Sequence, residues 1–365
     1  MKILHINTEK TWRGGEQQTL YLLQGLHARN ITSHLICQPD SPMAHRAAEA
    51  RLKVIPVAMH GEVDLRAACR MRSSIHKANY DIIHSHTSHA HTLAFAASAG
   101  TPVKRLVTRR VDFSIFRHSF LHLSGIKYRY LADFYVAISQ KIKDVLIDDG
   151  IAAERIAVIH SGIDPGRFAR ADGKHLISEF DIKSDEKVVV NVAHLAGHKG
   201  QEYLVRAVSR VLAKIPKVRF FIVGEGELMT ALKALANSRG ISHNLVFTGF
   251  RHDVGAFYKI ADLFVMSSVQ EGLGTAVLDA LALGKPVVAT KTGGIPEMIS
   301  DGVNGRLVKP ADSVALADGI VDLLSQADRA KQMGARAKKE VVEKFSTDAM
   351  VDAYIEVYQR MLSGV

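Results

Sequence analysis

Two cysteines in 365 residues, Cys37 and Cys69, are too few for a disulfide framework and point to a reducing compartment. No stretch approaches the roughly 18 consecutive apolar residues of a membrane-spanning helix. The opening "MKILHIN" enters a strand pattern directly, without the apolar segment and small-residue cleavage site of a secretory signal. A cytoplasmic protein is the expectation. Asp-x-Asp occurs nowhere, which removes a common carboxylate pair for gripping a divalent metal, and no metal is expected. No glycine loop ends in Gly-Lys-Ser/Thr, so a P-loop nucleotide hydrolase is excluded. "VGEGELM" offers Gly224 and Gly226 after a strand but has Met229 where the dinucleotide fingerprint requires glycine. Basic residues are not interleaved with a stacking platform, so nucleic acid is not an expected partner.

What is present is an ordinary globular composition, 47% hydrophobic and 23% charged, long enough for two domains. Short apolar strands alternate with amphipathic helices. The strands read as "KILHI", "SHLIC", "KVIPV", "DIIHS", "RLVT" and "FYVAIS" in the first half. In the second they read as "KVVVNVA", "VRFFIVG", "LVFTG", "LFVMSS", "PVVAT" and "GRLV". Stretches such as "GGEQQTLYLLQGLHARN" and "GQEYLVRAVSRVLAKI" carry apolar residues at three- and four-residue spacing. This alternation predicts α/β domains with parallel sheets covered on both faces. The polar, Gly- and Pro-bearing segment "VIHSGIDPGRFARADGKHLISEF" marks the break between domains 1–165 and 166–345. The amphipathic helix 346–365 is expected to pack back on the first. Two Rossmann-like domains facing across a cleft is the predicted architecture. Charge is uneven: residues 1–170 carry 23 Lys and Arg against 14 Asp and Glu, a net +9 of the chain's +10. The first half therefore either meets something anionic or has a basic solvated face.

The most informative stretch is "QEGLGTAVLDALALGKPVVAT", with Glu271 and Asp279 separated by seven residues. The Gly272-Leu273-Gly274 turn lets backbone N–H groups approach a ligand. A helix beginning near Thr275 directs its unpaired N–H groups and positive dipole end to the same spot, an anion site suited to a diphosphate. Glu271, outside the helix, and Asp279, one or two turns into it, can accept hydrogen bonds from hydroxyls on either side. That layout fits a nucleotide sugar. Two solvated carboxylates beside a glycine turn is the alternative.

Further pieces occur in order: "VIHSGIDPGRF", "VAHLAGHKGQEYLVRAV", "FFIVGEGEL", "LVFTGFRHDV", "GKPVVAT" and "GGIPEMISDGVNGRLV", with "GGEQQTLYLLQGL" near the N-terminus. Together with Glu-x7-Asp the set resembles the family 4 retaining glycosyltransferases of the GT-B fold, over essentially the whole chain and most strongly over 155–310. The resemblance implies that Glu271 contacts the donor sugar and Asp279 the nucleotide ribose, where the family usually has the longer glutamate. It implies that Gly272, Leu273, Gly274 and Thr275 hold the diphosphate with Lys199 of "HKG". Gly14 and Gly15 match a loop facing the donor phosphate, and Phe250 and Arg251 a segment flanking the base. His194 stands where the family usually has an arginine, which weakens the phosphate clamp because histidine lacks the guanidinium fork and is mostly neutral at pH 7.

In the first domain, "LVTRRVDF" places Arg109 and Arg110 where the family often has a histidine near the reacting sugar. The two arginines are candidates to hold an anionic acceptor or the leaving diphosphate, or they form a basic surface loop. "DIIHSHTSHAHT" carries His84, His86, His89 and His91. A metal site is one reading of that density, and in the resembled family a histidine-bearing strand end here lines the acceptor site, which makes His86 a candidate. Residues 104–130 combine seven Lys and Arg with apolar residues against one acid. They read either as an interfacial segment touching anionic lipid or as a basic wall over ordinary core. The expected function is metal-independent transfer of a sugar from a nucleotide diphosphate donor, the co-substrate in place of any cofactor, to a hydroxyl acceptor that is anionic or lipid-linked. The setting is cell-envelope glycolipid or polysaccharide synthesis, with peripheral contact to the inner membrane face left open. Glu271, Lys199, Arg110 and His86 are the catalytic candidates. A nucleotide-sugar epimerase or hydrolase, and a non-catalytic nucleotide-sugar-binding subunit, are the alternatives.

Overall fold

The computed structural model describes residues 1–116 and 123–364, so positions 117–122 of the basic segment lie outside the described residues. The chain divides into two compact units, Met1–Gly162 with Thr347–Val365, and Ile163–Ser346.

The first unit holds a seven-stranded parallel sheet: β1 (Lys2–Ile6), β2 (Thr32–Cys37), β3 (Lys53–Pro56), β4 (Ile82–Ser85), β5 (Lys104–Arg109), β6 (Phe134–Ala137) and β7 (Ile156–Val158). Their spatial order is β3-β2-β1-β4-β5-β6-β7. Six of these strands coincide with apolar runs read from the sequence. The seventh, only three residues long, runs into the start of the segment taken for a linker. The second unit holds a six-stranded parallel sheet: β8 (Lys187–Val192), β9 (Val218–Val223), β10 (Leu245–Gly249), β11 (Leu263–Met266), β12 (Val287–Thr290) and β13 (Arg306–Val308). It is ordered β10-β9-β8-β11-β12-β13. Every residue of β11 and β12 is buried, as expected of central parallel strands with helices on both faces. The helix Gln201–Leu212 buries Leu204, Val205, Val208 and Val211 on one stripe against β8 and β9, while its other face carries Glu202, Arg206 and Arg210.

Both sheets reverse strand order once, between β1 and β4 and between β8 and β11. At such a reversal the connections leave toward opposite sides and open a crevice beyond the C-terminal strand ends, where ligands of open α/β sheets bind.

The last helix, Thr347–Ser363, belongs to the first unit. Met350, Val351, Tyr354, Val357, Tyr358 and Met361 pack against Ile3, Leu22, Leu26, Ile82, Leu106 and Val136. Its contact with the helix Gly14–Ala28 depends on Gly25, because a Cβ there would lie 2.4 Å from Cγ2 of Val351. Polar bonds fix the register: the Tyr358 hydroxyl lies 2.7 Å from Nδ1 of His84, and the Tyr354 hydroxyl 2.9 Å from Oγ1 of Thr108. Among the described residues no helix is long and apolar enough to cross a membrane.

Candidate functional site

In the second unit the crevice at the β8/β11 reversal is built from two loops. After β8 the chain runs through Ala193–Ala196, makes a short 3-10 turn at Gly197–Lys199, and enters the helix Gln201–Leu212. After β11 it runs through Ser267–Gly274 and enters the helix Thr275–Ala282. The loops are stitched together: Val269 N–H donates to the His198 carbonyl at 2.8 Å, and the Ser267 hydroxyl to the Lys199 carbonyl at 3.1 Å. Lys199 and Glu271, 72 positions apart, meet with Nζ 2.6 Å from Oε2. The same carboxylate oxygen accepts from the Ser268 hydroxyl at 3.0 Å. The Glu271 side chain is 10% exposed and that of Lys199 18%, so the pair is largely shielded yet reachable from the crevice.

The turn Gly272–Gly274 ends in a left-handed residue, Gly274 with φ of 95°, which opens the helix. Behind it the backbone of Thr292–Gly294 closes in: Gly294 N–H donates to the Gly272 carbonyl at 3.2 Å. Gly293, with φ of 53°, lies so close that a Cβ would fall 1.5 Å from the Glu271 carbonyl oxygen, so no other residue fits. Thr290 and Thr292 hydroxyls donate to the Ser268 and Val269 carbonyls at 2.6 and 2.9 Å. A rigid frame thus holds the Glu271 backbone beside the start of the helix, whose first N–H groups have no partner within the helix.

Asp279 lies in the second turn of this helix. Its Oδ2 accepts from Nη1 of Arg167 at 3.3 Å. Burial pushes its carboxyl up to about 6, with Arg167 pulling down and Asp164 adding to the rise. His194 is exposed and faces Glu227, with Nε2 3.4 Å from the carboxylate. It is not part of the Lys199–Glu271 pair. Phe250 is 59% exposed and stands edge-on to His252. Arg251 is engaged twice, with Glu179 at 2.8 and 2.9 Å and with Asp253 at 2.8 Å, which holds its pKa above the usual arginine value. Its guanidinium therefore braces the loop beside Phe250. A hollow of about 800 Å³ lined by Lys174, Ile177, Glu186, Val188 and Lys259 opens elsewhere, near the N-terminal end of β8, opposite the edge that carries the carboxylates.

In the first unit, the β1/β4 reversal gathers Gly14, Gly15, His86 and Arg110. Gly14 and Gly15 begin the helix Gly14–Ala28, whose buried Glu16 accepts from the Arg13 N–H at 3.0 Å and from the Asn7 amide at 3.3 Å. Arg110 packs its Cδ over Gly15, 3.4 Å from where a Cβ would stand. Its Nε is buried with no hydrogen-bond partner among the described residues, and burial lowers its pKa against the pull of Tyr354 and Glu16. His86 is buried, with Nε2 3.0 Å from Nδ1 of His5. His84 is bonded on both sides, to Tyr358 and to the Thr108 hydroxyl at 2.7 Å. His5, His84 and His86 bring ligand atoms within 4.8 Å of one another. Burial keeps all three neutral, pulling His5 down to about 3 and His84 and His86 well below their usual value. Imidazoles in this state could ligate a metal, but His84 has both nitrogens occupied and the Arg110 charge acts on His84 and His86. His91 is buried apart from them, edge-on to Tyr128.

Arg109 does not share the surroundings of Arg110. It is 8% exposed, with Nη1 donating to the Tyr128 hydroxyl and Nη2 to the Phe113 carbonyl, both at 2.7 Å. Its Nη1 and Nη2 hold the chain after β5, and its Nε is buried with no hydrogen-bond partner among the described residues. Sequence reasoning missed Ser268, His5, Glu16 and Arg167. Arg167 and Glu16 carried a signal, sitting inside the quoted "VIHSGIDPGRF" and "GGEQQTLYLLQGL".

Comparison with known proteins gives consistent matches. The family model for glycosyl transferases group 1 matches residues 174–340, and that for glycosyltransferase family 4 matches residues 12–167. N-acetyl-α-D-glucosaminyl L-malate synthase of Bacillus anthracis is 25% identical over 82% of this chain and 80% of its own length. The UDP-Gal:α-D-GlcNAc-diphosphoundecaprenol α-1,3-galactosyltransferase of Escherichia coli is 24% identical over 99% of this chain and 97% of its own. Among solved structures, Anabaena Alr3699/HepE in complex with UDP and glucose superposes with a TM-score of 0.87 at 22% identity, covering all of both chains.

Proposed function

The chain belongs to the glycosyltransferases of family 4 with the GT-B fold, and on that premise we propose that it moves a hexosyl group, with retention of configuration, from a nucleoside diphosphate sugar to the hydroxyl of an anionic or lipid-linked acceptor in cell-envelope glycan synthesis. The observation that carries the proposal is the shielded Lys199–Glu271 pair at the strand-order reversal, beside a glycine turn that opens a helix.

In this reading the diphosphate is held by the N–H groups of Gly272–Thr275 and by Lys199, whose ammonium passes from Glu271 to phosphate oxygen. Glu271 then accepts from the sugar hydroxyls. Asp279 accepts from the ribose, and the exposed face of Phe250 flanks the base. In the first unit Gly14, Gly15, His86 and Arg110 serve the acceptor or the departing diphosphate, Arg110 because its Nε is buried with no hydrogen-bond partner among the described residues. The C1–O bond to phosphate breaks, and the acceptor oxygen bonds to C1 on the same face. The acceptor's proton goes to the departing phosphate oxygen. Catalysis is then positioning together with stabilisation of the leaving diphosphate. The nucleotide sugar is the co-substrate, and no metal is required. The envelope assignment is supported by the diphosphoundecaprenol-linked acceptor in the name of the Escherichia coli relative, by the net charge of +9 over residues 1–170, and by the exposed Ile126 and Tyr130 within residues 104–130.

The test is a thermal-shift screen of UDP, GDP and ADP with their hexose conjugates, followed by NMR of the anomeric product. A ligand present at about 100 times its dissociation constant adds about 2.7 kcal/mol to the folded state. Stabilisation by one nucleotide series and an α product from an α donor are expected. Failure of all three series to stabilise the protein, or an inverted product, would refute the proposal.

A further inference from the structure

Arg167 sits in the tight turn Asp164–Arg167, closed by the Arg167 N–H to the Asp164 carbonyl at 3.1 Å and by the Gly166 N–H to Oδ1 of Asp164 at 2.8 Å. The next residue, Phe168, is an anchor. Its ring packs 5.5 Å from that of Tyr258 and so tightly over Gly255 that a Cβ there would come within 2.6 Å. The Arg167 guanidinium lies 4.7 Å from the Phe168 ring centroid and reaches Asp279 across 112 residues of sequence. It takes one carboxylate oxygen only. Oδ1 of Asp279 has no hydrogen-bond partner among the described residues, and the side chain is 14% exposed. The Tyr258 hydroxyl beneath is already committed to the Ala276 carbonyl at 3.1 Å, so it does not compete for that oxygen.

We propose that Arg167 is the positioning residue for Asp279, clamping Oδ2 so that Oδ1 is presented, ionised, to the hydroxyls of the nucleotide ribose. This rests on the donor reading above and extends it to a residue that supplies what a shorter acid lacks. An aspartate has one methylene less than glutamate, so its carboxylate stays closer to the helix and deeper in the protein. Desolvation there favours the neutral form. The groups facing it are Arg167, which favours the charged form, Asp164, which opposes it, and Tyr258, which is held neutral by burial. With Arg167 removed, nothing in this set offsets the burial.

The experiment uses the full chain and three variants, R167Q, R167K and D279N. In the ligand-free protein the Asp279 carboxyl is titrated by ¹³C NMR, its resonance assigned by its loss in D279N. A midpoint near 6 is expected in the natural chain. An opposite charge at this range lowers a carboxyl by about 1–3 pH units, and the 38% exposure of Arg167 places the effect at the low end. R167Q should therefore titrate about one pH unit higher, with R167K restored toward the natural value. Calorimetry then compares UDP with 2′-deoxy-UDP, and GDP with 2′-deoxy-GDP. The natural chain should prefer the ribonucleotide. D279N should lose the preference at every pH, while R167Q, its carboxyl about half protonated at pH 7, should lose about half of it there and regain it near pH 9. An unmoved NMR midpoint in R167Q overturns the inference whatever the binding data show. A moved midpoint with D279N still preferring the ribonucleotide instead sinks the assignment of Asp279 to the ribose.

Discussion

Replacing Glu271 by glutamine separates the two halves of the donor energetically. The glutamine carbonyl can still accept from Ser268 and Lys199, now 3.0 and 2.6 Å from Oε2, so the loop keeps its shape. Alanine would instead strand the Lys199 ammonium. Breaking a fully buried ion pair costs about 3–5 kcal/mol and an exposed one about 0–1 kcal/mol, so alanine would confound binding with folding. The glutamine variant removes the negative charge alone. A hydrogen bond from a sugar hydroxyl to a carboxylate contributes about 1.5–3 kcal/mol. Each 1.4 kcal/mol is about tenfold in affinity. In the unliganded protein that carboxylate is already engaged with Lys199, so the net loss belongs at the low end, about tenfold, for a nucleotide sugar. The nucleotide alone has no sugar to lose. It also escapes repulsion between its diphosphate and the Glu271 charge, so its affinity should hold or improve. Calorimetry of UDP and a UDP-hexose, at one fixed ionic strength because exposed charges are screened within about 8–10 Å, reads both numbers. The preference for the nucleotide sugar over the nucleotide should collapse while UDP binding survives. An equal tenfold loss for UDP alone would place Glu271 on the phosphate or base side and refute the division of labour between Glu271 and Asp279.

Treatment with EDTA should leave donor binding and transfer unchanged, since Lys199 and the helix N–H groups answer the phosphate charge. Loss of activity restored by Mg²⁺ or Mn²⁺ would refute that expectation. Raising salt should raise the Michaelis constant for a polyprenyl-diphosphate-linked acceptor more than that for the donor, and R110Q should reproduce the effect at low salt. R109Q should instead lower the melting temperature, because its bonds to Tyr128 and Phe113 hold the chain together. If R109Q alters acceptor kinetics and leaves stability intact, the separation of the two arginines is wrong. Acid should weaken the first unit: His5, His84 and His86 are depressed in the folded state relative to about 6.5 unfolded. Their contribution is complete above pH 6.5 and is lost as pH falls from there toward the folded values, by about 1.4 kcal/mol per pH unit for each histidine. The fluorescence of Trp12, the sole tryptophan, reports that unit, and a midpoint flat between pH 7 and 4.5 would contradict the burial argument.

The strands were legible where a run was β-branched and buried on both faces, as in "KVVVNVA" and "LFVMSS". β7 was not legible, because its three residues adjoin a Gly- and Pro-bearing segment that reads as a linker. The glycine turn and the helix after it were legible for the same local reasons that make them form. The meeting of Lys199 with Glu271 was not. It depends on β8 and β11 becoming neighbours, a crossover past two intervening strands that no local pattern encodes. Only the resemblance supplied both residues. The two arginines show a different gap, one that elementary geometry could have closed. Successive residues of a strand point to opposite faces. Arg109 ends β5 and Arg110 follows it, so an extended chain cannot aim both guanidinium groups at one ligand. One of the pair had to turn inward, and a buried arginine requires partners for its donors. Tyr128 and the Phe113 carbonyl provide them for Nη1 and Nη2 of Arg109. Arg110 instead packs its Cδ over Gly15 at the start of a helix.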